Sequence, residues 1–264
     1  MNNFLRIQKD IVSVEPDVLF FIGDLPVSNS LLMAFVVLVI LGIFGYVVTR
    51  YFKVRPSAFQ NAVEMMYEGM YELVEQIMGS KKRADAVFPL IAALFVYIAV
   101  ANILPLIPGF ASFEVGGVSL FRTPTSDFNT TFALAGAMMI LIQFVSIKEW
   151  GFFGYAGRFI KVKEVFLAFR KGVKEGVMAI VEFFIGLLDI VAEFAKVISL
   201  SFRLFGNMLA GEILAVLLLG AFAYGLPALW LSLNLLFAVV QAVVFGALVA
   251  AYYMLSVKPE RVEA

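Results

Sequence analysis

The chain has 264 residues, 62% of them hydrophobic and 15% charged, with 20 Lys+Arg against 20 Asp+Glu. Soluble domains average roughly 45–50% apolar and about 25% charged residues, so this surface is built for lipid, and its zero net charge argues against nucleic-acid binding. With no Cys and no His, disulfides, thiolate chemistry, His-dependent triads and His-ligated metal or haem are excluded, and no cofactor or metal is expected.

Residues 1–30 precede the first apolar run, 31–48. A spanning helix needs about 20 apolar residues. A cleavable signal has a shorter core with its cations in front, whereas Arg50, Lys53 and Arg55 follow this run. It reads as a retained first span. Pro56-Ser57 and Gly79-Ser80 then bracket a helix over 56–80. Inside it Ala62, Met66, Met70, Leu73 and Ile77 recur as an apolar set, and Glu64, Glu68, Glu72 and Glu75 form an acidic stripe. This is an amphipathic helix on the membrane surface or against a partner, or one with a merely solvated acidic face. A second charge-free run, 87–107, contains Pro89, Asn102 and Pro105 and is expected to kink towards its end. A third, 128–147, opens on Asn129, Thr130 and Thr131. After a basic loop, 148–176, comes a long apolar region, 177–257, broken at Tyr224-Gly225-Leu226-Pro227. Gly and Pro punctuate turns, so this region is expected to be a hairpin of two long helices, followed by a tail, 258–264.

The expected architecture is an all-α integral membrane protein in a single membrane domain. It has about five membrane-embedded helices, one amphipathic surface helix and a long, strongly tilted C-terminal hairpin. Cations set orientation. Arg50, Lys53, Arg55, Lys81, Lys82, Arg83, Lys148, Arg158, Lys161, Lys163, Arg170, Lys171, Lys174, Lys258 and Arg261 fall on one side, against Arg6, Lys9 and Arg122 on the other. The N-terminus is therefore expected outside and the C-terminus in the cytoplasm.

The stretch 177–219 is apolar yet contains Glu182, Asp189, Glu193, Lys196, Arg203 and Glu212. As one helix it would be roughly 65 Å long at 1.5 Å per residue, against about 30 Å of hydrocarbon, so it must tilt steeply or run partly in the membrane plane. Glu182, Asp189, Glu193, Lys196 and Arg203 step by 7, 4, 3 and 7 residues and share one helix face, which Asn207 continues. Charges inside a bilayer cost at least about 2.5–3.5 kcal/mol and mark function. Glu193 and Lys196 can pair. Arg203 has no carboxylate three or four residues away, so it needs one from elsewhere, such as another protein. Glu212, nine residues on, projects from the opposite side. On the final helix Asn234 and Gln241 share a face with Ala238 between them, at depths similar to Glu212 and Arg203. A polar layer between apolar helices suits an ion path. Interhelical hydrogen bonds that glue the pair are the plainer reading.

The run Ser199-Leu200-Ser201-Phe202-Arg203-Leu204-Phe205-Gly206-Asn207-Met208-Leu209-Ala210-Gly211-Glu212 resembles the signature of subunit a of the F-type ATP synthase, the stator beside the rotating c-ring. Gln241 falls where that family carries Gln on its last helix. Thr125-Ser126-Asp127-Phe128-Asn129 is similar to its lead into the third span, and Asp189 matches a family acidic position. There are departures. Val197 stands where the family often has Pro. Many members place a Glu/His pair where this chain has Glu212 and Asn234, so any relay here runs on carboxylates, amides and water.

The resemblance implies an ion-translocating stator in which two offset half-channels pass H⁺ or Na⁺ to and from c-ring carboxylates. Arg203 would face the ring and separate them. Glu212, Asn234 and Gln241 would line one half-channel, with Asn207, Asp189 and Asp127 also on the ion path. Glu182, Glu193, Lys196 and Ser199 form a weaker polar stripe. The implied partners are the c-ring, peripheral-stalk subunit b, the rest of the F-type ATP synthase and lipid, in a bacterial inner membrane. No Walker A motif is present, so ATP chemistry lies elsewhere in such a complex. The alternatives are a self-contained secondary ion transporter, which predicts inverted repeats or broken helices, and a structural scaffold, which leaves Arg203 unexplained.

Overall fold

In a computed structural model, residues 15–107, 109–110, 113–115, 118–159, 173–221 and 225–258 are described. They form strands β1 (Val18–Ile22) and β2 (Leu25–Ser28), then helices α1 (Asn29–Tyr51), α2 (Ala58–Met78) and α3 (Lys81–Ile103). A 3-10 turn (Leu104–Leu106), the short strands β3 (Glu114–Val115) and β4 (Val118–Ser119) and a second 3-10 turn (Pro124–Ser126) follow. Helices α4 (Phe128–Trp150), α5 (Phe152–Phe159), α6 (Val173–Ala221) and α7 (Gly225–Ser256) complete the order. The two strand pairs are antiparallel. Segments Asn29–Tyr51, Lys81–Leu106, Phe128–Trp150 and Ala228–Ser256 are each long and apolar enough to cross a membrane. The chain is a multi-pass, all-α integral membrane protein.

Capping explains most boundaries. The Ser28 hydroxyl accepts from the Leu31 N–H and starts α1. Ser57 does the same for α2 through Gln60, and Gly79 ends that helix at φ 63°, a left-handed geometry that glycine takes without a Cβ penalty. Asp127 caps α4 by accepting from the Asn129 N–H at 2.9 Å. Pro89 sits inside α3, and the helix tightens into the 3-10 turn where Pro105 arrives.

Four differences from the sequence expectations have simple causes. The second membrane helix starts at Lys81 rather than 87, because the basic residues 81–83 wind into its first turn. The N-terminal segment holds the hairpin β1–β2, hidden in the sequence by its short strands. The basic loop contains α5, and its residues 160–172 lie outside the described ones. Helix α2 buries Gln60, Val74 and Met78 and packs Met70, Tyr71 and Ile77 on the core, while Ala62 and Met66 stay exposed. Its apolar contacts with the core come from its second half, and α3 and α7 are its neighbours.

Helix α3 packs most extensively on α7. Ala238, Ala242, Gly246 and Ala250 recur every fourth residue on α7 and are all buried. A Cβ at Gly246 would lie 3.3 Å from the Ile91 Cγ2. Small residues at this spacing let membrane helices approach closely. The common core joins Phe88, Ile91 and Ile98 of α3, Met139 and Ile142 of α4, Leu200 and Leu204 of α6, and Phe245 and Val249 of α7. At one end of this bundle the Ser146 hydroxyl and the Trp150 indole donate to the Ser256 carbonyl at 2.9 and 3.1 Å, and Arg83 donates to the Lys258 carbonyl. The start of α3 and the ends of α4 and α7 therefore meet there. Helix α6, at 49 residues, would run about 74 Å at 1.5 Å per residue, more than twice the hydrocarbon thickness of about 30 Å.

Helix α2 is tied to α3 by Tyr71, whose hydroxyl donates to Asp85 Oδ1 at 2.6 Å. That bond, with burial and nearby carboxylates, pushes the phenol from 10.0 up to about 12. The fold thus favours the protonated phenol. Its contribution is intact below pH 10.0 and is lost as pH rises through about 12. Tyr71→Phe should remove one late-titrating tyrosine from a phenolate absorbance titration; a curve unchanged by that substitution would refute the assignment.

Candidate functional site

The site is built on opposite sides of α6. Arg203 is exposed, and among the described residues it makes no hydrogen bond or ion pair. Ser199 and Asn207, one turn before and after it, are exposed too. Phe202 and Ile198 beside it are 56% and 50% exposed, so apolar side chains flank this polar stripe. Asp189 and Glu182 continue the exposed face towards the helix start.

The seam between α6 and α7 holds the amides. Asn207 Nδ2 donates to Gln241 Oε1 at 2.8 Å. Gln241 is buried, and its Nε2 has no partner among the described residues. One helical turn further along α6, Asn234 Nδ2 donates to the Gly211 carbonyl at 3.4 Å, and the Trp230 indole donates to the same oxygen at 3.1 Å. A Cβ at residue 211 would stand 2.9 Å from Asn234 Oδ1, so glycine there is what admits the amide. Asn234, expected at the depth of Glu212, meets Gly211 beside it, and Gln241, expected at the depth of Arg203, meets Asn207, one turn away.

Glu212 points away from Arg203. Its carboxylate is engaged by the side chains of Thr123 and Ser126 and lies in the field of Arg122. Arg122 is buried; its Nε donates to the Ser126 hydroxyl at 3.3 Å and its Nη1 to the Glu15 carbonyl at 2.8 Å. Thr125 donates to Asn102 Oδ1. Asp127 Oδ2 accepts from Ser30 at 2.7 Å and from Thr130 at 3.3 Å. Asn29 Nδ2 reaches Asp17 and the Ser119 carbonyl at 3.4 and 3.2 Å. A cavity of about 780 Å³ opens beside Asp127, lined in part by Glu15, Ser28, Tyr97, Asn129 and Thr130. A buried polar cluster thus runs from a surface opening at Asp127 to Glu212.

Towards the other end of α6, Glu193 and Lys196 form an ion pair at 2.7 Å. Among the described residues, no group of three or more His, Cys, Asp or Glu could hold a metal.

The sequence points to Arg203, Asn207, Glu212, Asn234 and Gln241 as candidates; the structure adds Arg122, Thr123, Asn102, Ser30 and Gln143 as polar groups packed near them or near Glu193. By position alone Arg122 is one of the few cations on the outer side. Its signal was present: a cation five residues before an N-capping Asp, within Arg-Thr-Pro-Thr-Ser-Asp, has several polar neighbours ready to bury with it.

The chain's likeness to known proteins covers the same ground. The family model described as ATP synthase A chain matches residues 30–254. ATP synthase subunit a of Moorella thermoacetica is 28% identical over 239 residues, covering 90% of this chain and 95% of that one. The corresponding protein of Desulforamulus reducens is 30% identical over 248 residues, covering 90% and 83%. That of Campylobacter concisus is 32% identical over 241 residues, covering 89% and 94%. The matched region starts at α1 and ends in the last turn of α7, taking in every polar residue of the α6–α7 seam, and the chain belongs to the ATP synthase A chain family.

Proposed function

We propose that this chain is the ion-translocating stator subunit of a rotary F-type ATP synthase, with its N-terminus outside and its C-terminus in the cytoplasm. One observation carries the reading. A single helix presents on one side an exposed Arg203, unpartnered among the described residues, and turns Glu212 into a buried polar cluster on the other. Family membership supports the same role.

Ions enter from the outside at the cavity beside Asp127, pass the hydroxyls of Ser126 and Thr123, and reach Glu212. Asn234, Asn207 and Gln241 supply the amide surface between Glu212 and the Arg203 face. Arg203 faces a ring of c subunits and meets the carboxylate each one carries. A nearby cation favours the ionised carboxylate, and Arg suits this because it is effectively never deprotonated. Asp189 lies on the exit side towards the cytoplasm. The driving energy is about 2.3 kcal/mol per charge per 100 mV. Subunit b and the soluble ATPase complete the assembly.

The exposed apolar run on α6, which includes Phe184, Leu188 and Phe194, supports a protein or lipid neighbour along that helix. A secondary transporter would instead enclose its own site between repeats.

The test is ion flux through the reconstituted complex, with and without Na⁺. The chain should co-purify with a ring of small hairpin proteins and a soluble ATPase. Glu212→Gln should slow ion transfer at least about tenfold, equivalent to roughly 1.4 kcal/mol on the barrier, because an amide cannot take up and release the ion. Unchanged flux, or purification without such partners, would count against the proposal.

A further inference from the structure

The polar stripe on α6 contains a second cation, Lys196, seven residues before Arg203 and on the same helix face. Two cations on a face that meets passing carboxylates would both attract them. The structure deals with the second one. Lys196 Nζ lies 2.7 Å from Glu193 Oε1, with the two side chains 21% and 16% exposed. It also sits 5.3 Å from the centre of the Tyr252 ring on α7, within cation–π range. Glu193 is itself held from α4: Gln143 Nε2 donates to Glu193 Oε2 at 2.8 Å. Tyr155 on α5 donates to Gln143 Oε1 at 2.7 Å. Helix α4 therefore holds the Glu193 carboxylate directly, and α5 supports it through Gln143.

This chain of contacts is not a proton wire. A carboxylate only accepts, so the Gln143 NH₂ must face Glu193 and its carbonyl must face Tyr155. An amide in that position would have to pass through an imidic-acid tautomer to relay a proton. The cavity beside it, about 510 Å³, has an almost wholly apolar wall that includes Phe132, Met139, Ile140, Phe194 and Ile198, and offers no row of water sites. What the arrangement does is fix a negative charge against Lys196.

We infer that Glu193, positioned by Gln143 and Tyr155, cancels the charge of Lys196 and draws it towards Tyr252, so that Arg203 acts alone on the carboxylates that pass α6. Glu193 and Gln143 are positioning residues; they do not touch the ion. The inference rests on the function proposed above.

The test uses the whole complex in vesicles, with assembly checked by co-purification of the ring. Glu193→Gln leaves Lys196 uncompensated. At about 10 Å along the helix and an effective dielectric near 20, one unit charge changes the rate about tenfold, so ion-driven ATP synthesis should fall by that factor. The double variant Glu193→Gln/Lys196→Met should return to within about twofold of wild type. Glu193→Gln at wild-type speed would overturn the inference. So would a double variant as slow as Glu193→Gln, because a contact that merely packs helices is not rescued by deleting the lysine charge. If Glu193→Gln does not assemble, Gln143→Leu asks the same question with the ion pair retained. It should slow synthesis less, and adding Lys196→Met should restore it; no restoration overturns the inference. These outcomes leave the stator reading intact, whereas purification of the chain without a ring of small hairpin proteins and a soluble ATPase would remove the reading itself.

Discussion

Replacing Arg203 by Ala should abolish ion-driven ATP synthesis while the complex still assembles. The two halves of that statement have separate causes. Assembly should survive because Arg203 is exposed and, among the described residues, holds nothing in place; substitutions at such positions usually change stability by no more than about 0.5 kcal/mol. Function should not survive, because a carboxylate travelling through lipid past Phe202 and Ile198 would meet no counter-charge. Arg203→Lys should recover only a little. An ammonium keeps the charge but presents no planar fork, and it can lose its proton in a dry site. Synthesis and ATP-driven ion pumping, measured together in vesicles, decide the matter. Normal coupled synthesis by Arg203→Ala would sink the role assigned to it. Loss of assembly would make the residue structural.

The parts of this molecule that were legible in the sequence are those where local chemistry and burial agree. Spans 31–48 and 128–147 stood out because nothing charged interrupts them. Helix α2 was bounded by Ser57 and Gly79, whose capping roles follow from side-chain oxygen and left-handed backbone. Arg203 stood out because no carboxylate lies within a turn of it. What stayed hidden depends on residues distant in the chain. Ser30 meets Asp127 across 97 positions, and Gln143 meets Glu193 across 50. In a linear reading each is an isolated polar residue near the end of an apolar run, with no period to reveal its partner. Likewise, Glu212 and Asn234 were matched by depth, but depth along two helices does not fix rotation. The carboxylate turns instead to the 3-10 turn before α4. The small-residue stripe on α7 is hidden for a related reason: alanine is common in apolar helices, and its fourfold spacing gains meaning only against α3.

The same hidden cluster yields the other large effect. Arg122→Gln should reduce ion uptake from the outside at least about tenfold, roughly 1.4 kcal/mol on the barrier, with assembly retained. Arg122 serves two groups at once. Its guanidinium holds the Glu15 carbonyl and the Ser126 hydroxyl in place, and its charge lies in the neighbourhood of Glu212. A Gln can keep one hydrogen bond but supplies no charge. Removing one member of a buried charge pair is costly because the other is left uncompensated, typically about 3–5 kcal/mol in proteins where it has been measured. Glu212 would then hold its ion differently, and the opening beside Asp127 would lose an anchor. Arg122→Lys separates these causes. It restores the charge without the fork that spans Ser126 and residue 15, so recovery of flux with Lys assigns the effect to electrostatics, and no recovery assigns it to geometry. Passive ion flux through vesicles holding the Fo sector, with the ATPase removed, reads the step directly. Wild-type flux in Arg122→Gln would show that the buried cluster lies off the ion path and that Glu212 is reached by another route.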